Sequence, residues 1–302
     1  MLSPLLSAAA RSERVRGLVT AIPATRGVVD RFVAGEGADA AVRTVRELDR
    51  DGLKVTLDHL GEDTLDRARA EATRDAYLAL FGALGELSAG ADASLKPSAL
   101  GQALDERLAL DNARTICAAA QRAGMTVTLD MEDHTTVDST LGALRELRAD
   151  FPWGGVALQS MLRRTEGDLR DLVGEGSRVR LVKGAYAEPS SVAFQGRHEV
   201  DRAYVRGLKL LMAGDGRPMI GSHDPRMIDI ALALAAENHR KADSYEFQML
   251  YGIRTGEQRR LAENHTMRVY VPYGADWYGY FMRRLAERPA NLVFFLRSFV
   301  SR

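Results

Sequence analysis

MTVTLDMED, residues Met125–Asp133, together with the segment running on to Ala149, decides the fold. A short β-branched run ends in Asp130 and Glu132, and from about Thr136 the apolar spacing changes from that of a strand to that of a helix. The same unit recurs on both sides. Upstream, GLKVTLDHLG at Gly52–Gly61 leads into a helical pattern over about Asp63–Leu87, and ASLKPS at Ala93–Ser98 into one around Asp105–Ala123. Downstream, GGVALQSML at Gly154–Leu162 precedes a helix near Glu166–Val173, and RVRLVKGAY at Arg178–Tyr186 one near Val200–Ala213. RPMIGSHD at Arg217–Asp224 precedes Pro225–Glu237, DSYEFQML at Asp243–Leu250 precedes Glu257–Asn264, and MRVYVPYG at Met267–Gly274 leads into a last helix from Asp276.

Strict alternation of strand and helix implies parallel strands, because each helix carries the chain back across the sheet. The strands read as apolar on both faces, which predicts burial on both sides. About eight such units over residues 52–302 fit a closed (β/α)₈ barrel of the α/β class. A doubly wound open sheet is the alternative, but the turn after the first strand, DHLGED, lacks the glycine-rich phosphate loop of that fold. Residues 1–51 show helical spacing, with Val28, Val29, Phe32 and Val33 and then Val42, Val45 and Leu48, and read as a helical preface to the barrel.

Composition narrows the function. The 41 basic and 41 acidic residues cancel, which argues against a nucleic-acid partner held by a basic surface. Cys117 is the only cysteine, so an intrachain disulfide and a thiolate metal cluster are excluded, and a reducing, cytoplasmic setting is expected. The apolar run of MLSPLLSAAARSERVRG precedes its arginines, the reverse of a signal peptide, and predicts an N-terminal helix.

Polar residues gather at the C-terminal ends of the strands: Asp58 and His59, Lys96, Asp130 and Glu132, Gln159, Lys183 and Tyr186, Ser222 to Asp224, Gln248, and Tyr270 and Tyr273. In a barrel those ends open onto one face, where active sites of this fold sit. Lys183 could be a Schiff-base lysine of a cofactor-free aldolase or a partner for a charged cofactor. The six histidines show no HxH or HxxxH spacing, so no metal site is expected. The last helix, DWYGYFMRRLAERPAN at Asp276–Asn291, carries Tyr280, Arg283, Arg284 and Glu287 on one face, a clamp suited to a small carboxylate. Such a clamp would serve equally in a protein that binds a small acid without chemistry.

Taken in order, SLKPS, TLDMED, RLVKGAY, GSHD, EFQML, VYVPYG and YFMRRLAERPAN closely resemble the motifs of the proline dehydrogenase family, most of all its short monofunctional bacterial form. The resemblance implies a distorted barrel that binds FAD, oxidises L-proline to Δ1-pyrroline-5-carboxylate and passes electrons to a membrane quinone. It implies Asp130 and Arg180 as catalytic residues near the reactive flavin nitrogen. Lys96, Arg283 and Arg284 would grip the substrate carboxylate, and Tyr186, Leu250, Tyr270 and Tyr280 would wall the ring. Met131, Gln159, Arg180, Val182, Lys183, Gly184, Ala185 and Gln248 would contact the flavin, with Ser222, His223 and Asp224 towards the adenosine portion. Gly184 and Ala185 would let a flat ring approach the backbone. No aldehyde dehydrogenase module follows, so a separate pyrroline-5-carboxylate dehydrogenase is the expected functional partner. The apolar C-terminal NLVFFLRSFVSR suggests peripheral contact with the inner membrane, or a helix packed on the barrel.

Overall fold

Helices start where the sequence supplies an acceptor for their first free N–H groups. Asp66 accepts from the Ala68 N–H at 2.8 Å, Asp105 from Arg107 at 2.8 Å, and Asp224 from Arg226 at 3.1 Å, with Pro225 at the first helical position. The computed structural model describes residues 29–287, with side chains as far as Met282. In order the elements are α1 (Ala38–Arg50), β1 (Lys54–His59), α2 (Arg67–Leu84), β2 (Asp92–Leu95), α3 (Glu106–Arg122), β3 (Thr126–Leu129), α4 (Val137–Asp150), β4 (Gly155–Gln159), α5 (Thr165–Arg170), β5 (Arg178–Val182), α6 (Arg197–Ala213), β6 (Arg217–Gly221), α7 (Pro225–Glu237), β7 (Glu246–Leu250), α8 (Thr255–Ala262), β8 (Thr266–Tyr273) and α9 (Trp277–Glu287).

The eight strands form a closed parallel barrel in sequence order, as the repeat predicts. Closure joins the first strand to the last: Lys54–His59 pairs residue for residue with Arg268–Tyr273, six pairs in all. Ahead of β1, α1 packs on β1 and β8 and against α2. The chain before it is tied to the same strand, because Ala34 donates to the Pro272 carbonyl and Gly274 to that of Gly35. Val29, Phe32 and Val33 form a second apolar cluster with Leu60, Tyr278, Tyr280, Phe281 and Met282. The N-terminal signal-like run and the C-terminal NLVFFLRSFVSR lie outside the described residues.

Alternate strand residues such as Leu57, Leu95, Leu129, Leu158, Leu181 and Val269 are buried in the apolar layer beneath the helices. Burying each such side chain contributes about 1.5–3 kcal/mol. The other strand face departs from the expectation of apolar residues on both sides. Asp92 on β2 accepts from Arg178 on β5 at 3.1 Å, and these strands are not neighbours, so the bond crosses the barrel interior. Glu246 on β7 binds Arg268 on β8 at 2.7 Å, and Arg180 on β5 binds Asp130, just past β3, at 2.6 Å. Down the axis, Asp58, Asp92, Asp130 and Glu246 are matched by Lys96, Arg178, Arg180 and Arg268. Buried charge is tolerated because each ion has a partner and further hydrogen bonds.

Helix α6 ends without a basic residue in its last turn, and a distant side chain completes it. Arg240 donates to the carbonyls of Leu211, Met212, Gly214 and Gly216, four acceptors on one guanidinium. The contact ties the end of α6 to the turn after α7.

Candidate active site

Lys96 and Asp130 follow directly on β2 and β3, Arg180 and Tyr270 stand within β5 and β8, and the barrel brings the four side chains together. Asp130 is the hub. Its Oδ1 accepts from Arg180 Nη1 at 2.6 Å and from the Ser94 hydroxyl at 2.8 Å. Its Oδ2 accepts from the Tyr270 phenol at 2.8 Å, with Lys96 Nζ 3.7 Å away. Removal from water, and then the Asp130 charge, push the Tyr270 phenol well above its usual pKa, so it stays protonated and donates. The Arg180 guanidinium also lies over the Tyr270 ring, 5.3 Å from its centroid.

Lys96 is held by Asp58, 2.6 Å away and only 1% exposed. Burial alone would lower the lysine pKa, but Asp58, Asp130 and Glu62 outweigh it and raise it, so the ammonium stays charged. Arg180 is equally fixed. Its Nε donates to Gln248 Oε1 at 2.6 Å, its Nη1 also donates to Ser94 Oγ at 2.8 Å, and its Nη2 lies 3.4 Å from Asp92.

Gln159, at the end of β4, shows an open acceptor. Its amide nitrogen donates to the carbonyls of Met131 at 2.9 Å and Glu132 at 2.8 Å, which fixes the orientation of the amide. Its Oε1 is then buried with no protein partner among the described residues. A buried carbonyl oxygen without a donor is costly, and it fits a ligand N–H arriving at the strand ends.

Other expected contacts are placed differently. Gly184 has φ +105°, and a Cβ there would collide with the Met161 side chain, so packing requires this glycine independently of any ligand. Lys183 is engaged by Asp201 at 2.5 Å and Asp224 at 2.9 Å. Asp224 also caps α7 and pairs with Arg226, whose hydrogen bond is the main reason its pKa is lowered. Ser222 accepts from the Asp224 N–H at 3.1 Å, and His223 Nε2 accepts from the Leu250 N–H at 2.9 Å. These three side chains therefore hold the rim together by bonding to the protein. Gln248 lies inside the barrel beneath Arg180. Met131 is buried, Val182 and Leu250 are half-buried along the strand ends, and Ala185 is exposed. Tyr186 is half-buried against the main core, and Tyr280 is buried in the second apolar cluster. The backbone of α9 carries Arg283, Arg284 and Glu287, whose side chains lie outside the described residues.

Three contributors escaped the motif reading: Ser94, Asp92 and the pairing role of Asp58. The polar letters between apolar ones in DASL and VTLD were the available signal.

Glu132 sits behind the β3 end, accepting from the Ser98 N–H at 3.0 Å and the Ser98 hydroxyl at 2.6 Å. Burial raises its pKa from 4.5 to about 7, against the pull of those two bonds. Because the folded value is the higher one, the fold binds this proton more tightly than the unfolded chain does. The stabilisation is complete below pH 4.5 and is lost as pH rises through about 7. Glu132→Gln is therefore expected to flatten the fall in stability between about pH 5 and 8, a term of about 3 kcal/mol. Thermal unfolding across that range checks it, and parallel curves for the two proteins would count against it.

A family model described as proline dehydrogenase matches residues 41–297. The chain is 39% identical over 279 residues to Proline dehydrogenase 1 of Bacillus subtilis, covering 92% of each chain. The chain belongs to the proline dehydrogenase family. It is also 41% identical over 273 residues to Proline dehydrogenase of Deinococcus radiodurans, covering 88% of each. Against the bifunctional protein PutA of Salmonella typhimurium it is 27% identical, spanning 90% of this chain but 24% of that protein. The match to these proline dehydrogenases is thus over most of both chains with the short relatives and partial with the bifunctional one. Among solved structures, proline utilization A from Bdellovibrio bacteriovorus, inactivated by N-propargylglycine, superposes with a TM-score of 0.79 at 23% identity, over 90% of this chain and 33% of its own. That likeness gives the barrel fold.

Proposed function

We propose that this enzyme oxidises L-proline to Δ1-pyrroline-5-carboxylate with FAD as its cofactor, and passes the electrons to a membrane quinone. The product would go on to a separate pyrroline-5-carboxylate dehydrogenase. The reading rests on the cluster of Asp130, Arg180, Tyr270 and Lys96 at the barrel mouth, in a chain whose relatives bear the name proline dehydrogenase. Among the described residues no helix is long and apolar enough to cross a membrane, so quinone reduction would use contact at the surface of one.

When bound, FAD supplies the acceptor for the hydride. Gln159, Val182, Lys183, Gly184 and Ala185 would hold it along the strand ends, and the open Gln159 oxygen supports that placement. The chain's own groups do the rest. Arg180 presents a fixed positive charge at the mouth, where negative charge develops on a reduced cofactor. Asp130 already accepts from three donors, which supports a role in orienting Arg180, Ser94 and Tyr270. Lys96 adds a charged donor for the substrate carboxylate, beside the clamp of Arg283 and Arg284. The Tyr270 ring, half-buried with the Arg180 guanidinium over its face, would help exclude water from the reacting carbon. Lys183, committed to two carboxylates, is not the free amine that a Schiff-base aldolase requires.

Purified protein should carry a flavin absorbance that bleaches on addition of L-proline. A colourless protein, or a yellow one indifferent to L-proline, would overturn the assignment. Arg284→Lys should raise KM for L-proline about 10- to 100-fold, because a point charge cannot replace a bidentate fork. Initial-rate kinetics check this, and an unchanged KM would remove Arg284 from the clamp.

A further inference from the structure

Gln248 is wholly enclosed by protein, and every polar atom of its amide is engaged. Its Oε1 accepts from Arg180 Nε at 2.6 Å. Its Nε2 donates to Glu246 Oε1 at 2.6 Å and faces the Met219 sulfur at 3.3 Å. The orientation is not arbitrary. Glu246, with no exposed surface, is bound through both oxygens by Arg268 at 2.7 and 3.1 Å and further compensated by Arg217 at 3.4 Å. Those arginines outweigh burial and hold the Glu246 carboxyl below its usual pKa, so it is ionised and accepts only. An ionised Glu246 can pair only with the NH₂ side of the amide, which leaves the carbonyl side for Arg180.

We propose that Gln248 is a positioning residue for Arg180, its amide orientation set by the Glu246–Arg268 pair on the barrel floor. The chain Arg268, Glu246, Gln248, Arg180, Asp130, Tyr270 runs from floor to mouth through consecutive hydrogen bonds. Contacts on two different nitrogens fix a planar guanidinium: Gln248 takes Nε, and Ser94 with Asp130 takes Nη1. With Nε released, the fork could swing about the Nη1 contacts and move its charge away from the cofactor. Gln248 thus acts on the reaction through Arg180, its amide engaged by Arg180, Glu246 and Met219.

The proposal rests on the flavin-dependent reading above, and its test separates the two. Wild type, Gln248→Met and Gln248→Glu are purified and compared for flavin content, flavin midpoint potential, kcat, KM for L-proline and Tm. Gln248→Met keeps the volume and removes both hydrogen bonds, while Gln248→Glu keeps both as a neutral acid, its O–H donating to Glu246 and its carbonyl oxygen accepting from Arg180. Gln248→Met should retain flavin, show KM within about twofold of wild type, lose about 10- to 100-fold in kcat, and have a lower midpoint potential. Gln248→Glu should recover part of the lost kcat. Should Gln248→Met fail to fold, Gln248→Asn, whose shorter amide cannot reach both partners, carries the same expectation. A lowered Tm with kcat and midpoint potential unchanged overturns the positioning role and leaves a structural one. A wild-type protein without flavin, or inert towards L-proline, overturns the parent reading as well.

Discussion

Arg180→Met is expected to lower kcat for L-proline oxidation by about 10³-fold, in the range found when one preorganised electrostatic donor is removed from an active site. The guanidinium is 4% exposed and makes hydrogen bonds or ion contacts to Gln248, Ser94, Asp130 and Asp92. So rigid a cation adds charge where it is needed without reorganising during the reaction. Methionine fills the space and supplies none of that charge. It also strips Asp130 of its shortest bond, the 2.6 Å contact from Nη1, leaving Ser94, Tyr270 and the more distant Lys96. KM should move far less than kcat, because the carboxylate clamp is assigned to Lys96, Arg283 and Arg284. Steady-state kinetics at saturating quinone analogue make the comparison. A kcat within threefold of wild type would remove Arg180 from the chemistry.

Asp92→Ala should produce the largest loss of stability from a single change, about 3–5 kcal/mol. Asp92 has no exposed surface and accepts from Thr56, Thr126 and Thr128 as well as from Arg178 and Arg180. Burial alone would raise its pKa, but Arg178, Arg268 and Arg180 outweigh that and lower it, so the group is an anion in the fold. Truncation leaves two guanidinium groups buried with less negative charge than they need. Arg178 would keep only the Trp153 carbonyl at 3.3 Å and the Met219 sulfur at 3.7 Å. Urea unfolding measures the loss. Combining Asp92→Ala with Arg178→Met should recover part of it, because the stranded charge is gone. A loss below about 1 kcal/mol would mean that the interior charges are not compensating one another.

Much of the architecture was readable because helix–strand alternation is a local property. Six of the eight expected strands contain the observed one, the stretches expected from Ala93 and Met267 start one residue late, and the helix expected at Pro225–Glu237 has those bounds in the structure. The polar interior was harder to read. In RVRLV and EFQML the charged and amide residues alternate with apolar ones, a period-two signal of one polar face. The sequence alone favours burial on both sides, because a charged barrel core becomes plausible only when partners from non-adjacent strands are known. Asp92 and Arg178 are 86 residues apart, and nothing local announces their pairing. The rim tells the same story. The motifs located Asp130, Arg180, Lys96 and Tyr270 together, but not that Gln248 points inwards or that His223 supports the Leu250 backbone. Those facts depend on side-chain direction and on what neighbouring loops require.

The seam between β1 and β8 bears on how the molecule acquires activity. Its six pairs join segments more than two hundred positions apart, and loop-closure entropy makes so distant a pairing slow to form. Tyr270 stands on the β8 side of that seam, and it reaches Asp130 only once the ring has closed, whereas Asp58 meets Lys96 through the neighbouring β1–β2 pair. During refolding, helical signal should therefore return before catalysis does, and the interval between them is the time the ring takes to shut.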